Sequence, residues 1–581
     1  MKSKVQSRVS PARIPLVALL LAVAGFLIPR QAAAGSFTSM TTALPGSFSP
    51  GHMLLLPDGR VMVQNFGNSG WKFLCPDSTG HYVDGTWSNC PSMNLQRLYY
   101  ASDVLTNGQV FIAGGEYNNN DISSTNAFGL PAGGTAELFN PQAGNGAGSW
   151  SIINPPTSLL NPATNVGDGF FDAESVVLST GNVLVAPVFP SNNDPGGTLI
   201  YNPAANAWSV GDAASSSSQD EASWVKLPDD SILTIDPYGT DCERYLPASN
   251  TWVQDQPVPV NLYSTNGEIG AAMLLTNGTV LFFGGNQTNT SQIYTPSPLG
   301  GTNWGSWSPG PGIPNGLVMR DAPGCILDNG KLLPAFVGPS GDSPFYFYEY
   351  NPDTKAFNLV FTDTNSISDG SSMLQLPDGT VLFNDISAIY VYQPDPSPLP
   401  AGRPAIHSVT WNADGSLHLT GTLFNGISQG AMYGDDAQQD SNYPLVRFTD
   451  GNGKVTYGRT YNWNCTSVQT GSRIVATECA VPANVFNSPE TYSLQVVANG
   501  NASAPVTFYS PVWVNFSYNG PTHDGSRANP YVTLAQGTNA VPSGGTVAID
   551  AGIQPSVSYE TMTISKPMKI ISISGASTVG Q

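Results

Sequence analysis

One motif recurs along the chain and limits what it can fold into: an apolar strand, a Leu-x-[Asp/Asn]-Gly turn or a close variant, and a second apolar strand. It occurs seven times, with its last turn residue at Gly59, Gly108, Gly181, Asp230, Gly278, Gly330 and Gly379. The successive spacings are 49, 73, 49, 48, 52 and 49 residues, and the long one holds a loop-like stretch around residues 159–170. Each unit closes on a second signature, an aromatic or apolar residue two before a proline and usually an aromatic further on. Phe139 with Trp150, Tyr201 with Trp208, Tyr245 with Trp252, Tyr294 with Trp307 and Tyr350 with Phe357 are instances. A four-stranded sheet cannot bury both of its faces alone, but seven packed radially can. The repeat therefore predicts a seven-bladed β-propeller of kelch-like repeat length. The last unit stops at Pro394 one strand short, so Ser36-Phe37-Thr38-Ser39-Met40 is expected to supply the outer strand of the seventh blade and close the ring.

Composition agrees. The 581 residues include 61 Gly and 48 Pro, punctuation that favours short strands and turns over long helices, so the fold class expected is all-β. Only 11% of residues are charged and 40% are hydrophobic, which excludes a charge-swollen disordered chain. A net charge of −20 argues against nucleic acid or an anionic membrane surface as the partner. Residues 1–34 read as a secretory signal peptide: basic residues, an apolar run from Ile14 to Ile28, then Ala32-Ala33-Ala34. That run is too short for a comfortable membrane span. The expectation is a secreted protein, extracellular or periplasmic, with an uncleaved anchor as the alternative. Two local disulfides suit that compartment, Cys75 with Cys90 inside one repeat and Cys465 with Cys479 flanking a hairpin. Cys242 and Cys325, in non-adjacent repeats, read as buried free thiols.

The propeller is expected over residues 35–402. From residue 403 to 518 the pattern changes to alternating strands, as at 416–420, 444–448 and 492–496, which suits an immunoglobulin-like sandwich. Asp450-Gly451-Asn452-Gly453 begins like a calcium loop, but position twelve is Tyr461 rather than Glu, so it reads as a hairpin turn. Residues 519–581, with strands at 546–549, 562–564 and 568–570, resemble the cap and first turns of a right-handed parallel β-helix of the pectin-lyase-like kind.

A signal peptide, seven blades and such a sandwich together resemble the galactose oxidase and glyoxal oxidase family. Its early-set domain is matched by Leu423-Phe424-Asn425-Gly426 through Tyr433-Gly434-Asp435-Asp436 to Asn442-Tyr443-Pro444-Leu445-Val446-Arg447. The resemblance implies copper held by two histidines and two tyrosines, one of them cross-linked to a cysteine, with several ligands at the starts of innermost strands. At the corresponding positions stand Tyr99 for the cysteine, Asp172 in the next blade, and Asp369-Gly370 for a Tyr-His pair. Residues 434–443 contain no histidine, and His52, His81, His407, His418 and His523 lie elsewhere in the motif frame. The copper-radical site is therefore expected to be missing, and no cofactor is predicted.

Carboxylates occupy those positions instead. Counted back from the leucine of each turn, Asp172, Asp220, Glu221, Glu268, Asp321 and Asp369 fall six or seven places upstream, with Glu174 nearby. The resemblance implies that the early-set loop would add Asp435, Asp436 and Asp440 at the axis. Such acids repel by about 4 kcal/mol per pair at 4 Å and an effective dielectric near 20. Arg97 and Arg320, raised pKa values, a bound calcium ion, or a cationic or polyhydroxyl ligand would each offset this. Alternatively, the acids cap strand starts by accepting backbone N–H bonds. The reading favoured is a ligand-binding propeller with an extracellular glycan or small ligand at an acidic axial face. An oxidase with a divergent metal site, a carboxylate-dependent hydrolase or lyase, and a surface adhesion protein that self-associates through its C-terminal segment stay open. Gly426-Ile427-Ser428-Gln429-Gly430 matches a nucleophile elbow, but it lacks the strand-to-helix setting that motif needs.

Overall fold

The computed structural model describes residues 35–580 except 116–134, 157–158, 160–169, 171–173, 187–196, 214–218, 220, 266, 287–289, 298–303, 366–369, 396, 433–441, 469–471 and 553–555. The seven sequence turns are seven structural turns. In each, the last turn residue donates its N–H to the carbonyl of the turn leucine at 2.7–3.0 Å. All seven last residues have φ between 70° and 86°, Asp230 included at 70°. A type I turn followed by a left-handed residue joins the two strands without splaying them, which is why glycine fills six of these positions.

Seven four-stranded antiparallel blades result, and their innermost strands are Pro50–Leu55, Ala101–Val104, Ser175–Val177, Val225–Lys226, Ala272–Leu274, Gly324–Ile326 and Ser372–Gln375. The ring closes as the sequence predicts. Ser36–Ser39 pairs antiparallel with Ile389–Gln393, Phe37 opposite Tyr392, and becomes the outer strand of blade 7. Phe37 packs its ring 4.7 Å from Phe361, 4.8 Å from Tyr392 and 4.9 Å from Phe347, centroid to centroid.

The second sequence signature is a cross-strand aromatic pair. Phe139 faces Trp150, Tyr201 faces Trp208, Tyr245 faces Trp252 and Tyr294 faces Trp307 across the two outer strands of their blades. Three of these indoles also reach back to the preceding blade, Trp150 to the Pro91 carbonyl at 2.9 Å, Trp208 to Ile153 at 2.6 Å and Trp307 to Gln256 at 2.7 Å. The motif thus fills these blades, and in three of them it also staples the blade to its neighbour.

Beyond the ring, eight strands from Ala405–Trp411 to Val506–Tyr509 form one curled antiparallel sheet around Leu419, Phe448, Val475 and Leu494. The expected sandwich takes this continuous, curled form. Then the pairing changes sense: Val512–Val514, Thr546–Asp550 and Lys569–Ile573 make a parallel ladder, and Ser556–Ser558 pairs parallel with Ser577–Val579. The strand expected at 562–564 is irregular. A helix, Leu534–Ala540, covers one side with a Thr533/Gln536 capping box. Among the described residues, no helix is long and apolar enough to cross a membrane.

Both expected disulfides are overturned, since all six cysteines are free. Cys75 lies opposite Thr86 and Cys90 opposite Trp71, at the two ends of one ladder. Four residues of strand separate them by about 13 Å, beyond the Cα reach of a disulfide. Cys465 turns its Sγ to the Ser467 carbonyl at 3.4 Å and Cys479 to the Ala480 carbonyl at 3.6 Å, both inside the core of the curled sheet. There a thiol serves as a small apolar filler. Cys242 and Cys325 are buried free thiols as expected.

Protein unfolded without reductant is expected to titrate six thiols with Ellman's reagent, and a count of four or two would restore a disulfide. Phe37→Ala should lower stability in urea by about 3 kcal/mol, whereas exposed Ser39→Ala should leave the midpoint in place.

Candidate functional site

The leucine turns face the curled sheet. Tyr443 donates its hydroxyl to the Leu55 carbonyl, the Thr460 amide reaches the Pro57 carbonyl at 3.3 Å, and the Asn462 amide reaches Thr106 at 2.5 Å. The curled sheet thus packs on the turn side of the ring, and the strand starts carrying the predicted acids lie at the other end. Gln429–Met432, a strand from the second region, enters the ring, pairs antiparallel with the innermost strand of blade 5 and lies against those of blades 4 and 6. It continues the Gly-x-Ser-x-Gly stretch into a strand, so no nucleophile elbow forms there.

Of the predicted ligand-binding residues, Asp172, Asp220, Asp369, Asp435 and Asp436 lie outside the described residues, as does Asp440. The other five are placed. Tyr99, Glu221 and Asp321 hold one register position, six before the turn leucine in blades 2, 4 and 6, and all three have left-handed backbones with φ of 52°, 58° and 46°. Such a conformation costs a side-chain-bearing residue about 1–2 kcal/mol, and strain of this kind concentrates at sites. Glu268 is drawn to blade 6, where Arg320 Nε stands 3.3 Å from its Oε2, and Ser264 donates to the same oxygen at 3.4 Å. Arg320 also pairs with Asp342, so this cation offsets two acids.

Glu174 differs from the rest. It is 0% exposed, and among the described residues neither carboxylate oxygen makes a well-formed hydrogen bond. Burial first, then Asp103 and Glu221, push its pKa well above the carboxylate range, with slight relief from the Ser175 amide. Acids from blades 2, 3 and 4 therefore act on one another here. Glu268 and Asp321 on blades 5 and 6 belong to a second group, tied by the Arg320 contact and by the Asp321 amide bonded to the Ile269 carbonyl at 3.2 Å. Arg97, expected among the counter-ions, instead pairs with Glu137 at 3.1 Å, both fully buried in blade 2.

Below these acids lies a polar layer that the sequence reading missed. Ser175 donates to Asp103 Oδ2 at 2.6 Å, His52 Nε2 meets Ser102 Oγ at 2.7 Å, and Lys226 donates to the Thr466 carbonyl at 3.0 Å. Asp103, Lys226, Asn425, Asn442, Tyr443 and Thr466 line a cavity of about 40 Å³, room for a water or two. Burial pushes Asp103 up to about 7 and Lys226 down to about 8, each held back by the other's charge. The signal was present in Ala101-Ser102-Asp103-Val104 and Trp224-Val225-Lys226-Leu227, where an ionisable residue interrupts an otherwise apolar inner strand. His52 also lies on an inner strand, and burial holds it neutral, down to about 4. Among the described residues, no three His, Cys, Asp or Glu side chains gather as metal ligands.

No family model and no curated protein matches the chain. Among solved structures it is similar to a fungal alcohol oxidase of the AA5 family in complex with copper, at 13% identity and TM-score 0.47 over 82% of this chain and 99% of that one. A streptogramin B lyase matches at 11% identity and TM-score 0.41, over 62% of this chain and 98% of that one. A catalytically inactive virginiamycin B lyase from Staphylococcus aureus with quinupristin matches at 9% identity and TM-score 0.41, over 62% and 99%.

The raised carboxyls set a pH dependence. Glu174, Asp103 and Asp328, the last also pushed up to about 7, favour their neutral forms in the fold. Their contribution is full below the ordinary value of about 4 and is lost as pH rises, for Asp103 and Asp328 through about 7. His52 works oppositely, losing stability as pH falls from about 6.5 through 4. The melting temperature should therefore be higher at pH 5.5 than at pH 8, and Asp103→Asn should flatten the difference; an unaltered slope in that variant would count against this assignment.

Proposed function

We propose that this protein is an exported, galactose-oxidase-like propeller without copper-radical ligands, which binds an extracellular carbohydrate at its acidic axial face. Glu174 carries the reading. A carboxylate buried without a well-formed hydrogen bond costs stability, and two further acids make the cost larger. Vicinal hydroxyls of a sugar are donors that would satisfy it. The left-handed backbones at Tyr99 and Glu221 add strain at the same end of the channel, and a scaffold tolerates such strain where it positions side chains for a ligand. The inserted strand Gln429–Met432 pairs with the innermost strand of blade 5 on the axial side of the ring.

Calcium competes with sugar for the same oxygens. Calorimetric titration with galactose, xylose and their oligomers, and separately with calcium, distinguishes the two ligands. Glu174→Gln should weaken sugar binding by about tenfold or more while raising the melting temperature at pH 8, because the substitution removes a buried group that resists ionisation. A variant that binds as well as wild type sinks the proposal. So does stoichiometric copper after reconstitution accompanied by peroxide formation from an alcohol or aldehyde, which would establish the oxidase instead.

A further inference from the structure

A second cleft, of about 260 Å³, shares no residue with the axial cavity and opens where the curled sheet meets the parallel unit. Glu490, Asp524, Tyr509, Tyr531 and Ser510 line it. The backbone fixes these residues. Thr491 pairs with Tyr509 at the end of two antiparallel strands, so the Ser510 amide bonds the Glu490 carbonyl at 3.0 Å. Tyr531 is held by its amide on the Trp513 carbonyl at 3.0 Å, and Asp524 by its amide on Asn529 at 3.0 Å.

Three observations define what the cleft accepts. First, it is anionic without a counter-ion of its own. None of its lining residues is basic, and the nearby guanidinium of Arg527 is turned to Asp550 at 3.7 Å and lies over the Trp513 ring at 4.8 Å. The Ser526 and Asn529 donors to the Asp524 carboxylate, at 2.9 and 3.2 Å, keep it in its charged form. Glu490 Oε2 accepts only from the Tyr492 hydroxyl, at 3.2 Å, among the contacts described for it. Second, Tyr509 and Tyr531 offer aromatic surface beside those charges, a setting that attracts organic cations. Third, Ser510 is 2% exposed and its Oγ has no partner. Such a hydroxyl is costly unless a ligand supplies a hydrogen bond.

We propose that this cleft binds one unit of an amino sugar, its ammonium between Glu490 and Asp524 against the tyrosines and a ring hydroxyl on Ser510 Oγ. A neutral sugar leaves the acids uncompensated, and a plain alkylammonium leaves Ser510 unsatisfied. The volume, just under the roughly 300 Å³ at which drug-sized pockets begin, admits a single unit.

Titration of the full chain with glucosamine, glucose and ethylammonium tests this by ligand-observed NMR. Glucosamine should bind about tenfold or more tighter than glucose, a difference of about 1.4 kcal/mol, and added salt should weaken it. Glu490→Gln should reduce glucosamine affinity severalfold or more; it is the deciding variant because Asp524 also holds its own turn. Ser510→Ala should weaken glucosamine but leave ethylammonium unchanged. Glu174→Gln should leave this site unaffected, which separates it from the axial one. Equal binding of glucose, no binding of glucosamine, or full affinity in Glu490→Gln overturns the assignment.

Discussion

The pairing of Ser36–Ser39 with Ile389–Gln393 turns seven sheets into a ring, and every other feature of the molecule follows from that closure. An open stack would leave one face of blade 7 and one face of blade 1 bare. Closed, it buries both sides of every blade and points seven short inner strands at a common axis. Side chains hundreds of residues apart in sequence are then forced together, whatever their chemistry. The acids of blades 2 to 4 are neighbours for this reason, and so is the pairing of Gln429–Met432 with blade 5.

Periodicity made the ring legible because each turn needs one left-handed residue and the outer strands of each blade set an aromatic or apolar residue opposite an aromatic one. Those are local demands, and a local demand leaves a mark at fixed spacing. Asp230 shows how far the mark can be trusted. It stands where glycine is usual and still adopts φ 70°, because its turn is set by the same leucine-to-last-residue hydrogen bond as the others. The disulfides failed for a related reason. Closeness in sequence placed Cys75 and Cys90 in one hairpin, but register decides distance, and the ladder sets them at opposite ends.

The axial site was only half legible. That carboxylates stand at strand starts was visible from the motif frame, but which of them meet was not, since the distance between blades has no trace in one chain's spacing. Glu268 was drawn off by Arg320, and Arg97, the other expected counter-ion, went to Glu137. The pair of Asp103 and Lys226 escaped because each looked like one odd residue in an apolar strand. Only radial packing brings them to one cavity.

These placements divide the scarce cations by task. Arg97 and Lys226 are spent inside the scaffold, on a blade and on the junction with the curled sheet, where an unpaired acid or carbonyl would cost folding energy. Arg320 serves the rim. None of these contacts reaches Glu174, whose buried carboxyl oxygens have no well-formed hydrogen bond among the described residues. A chain selected for stability alone would replace it with glutamine or an apolar residue of similar size. Under the carbohydrate-binding proposal, hydroxyl donors from outside the chain would supply the hydrogen bonds that this carboxyl lacks among the described residues.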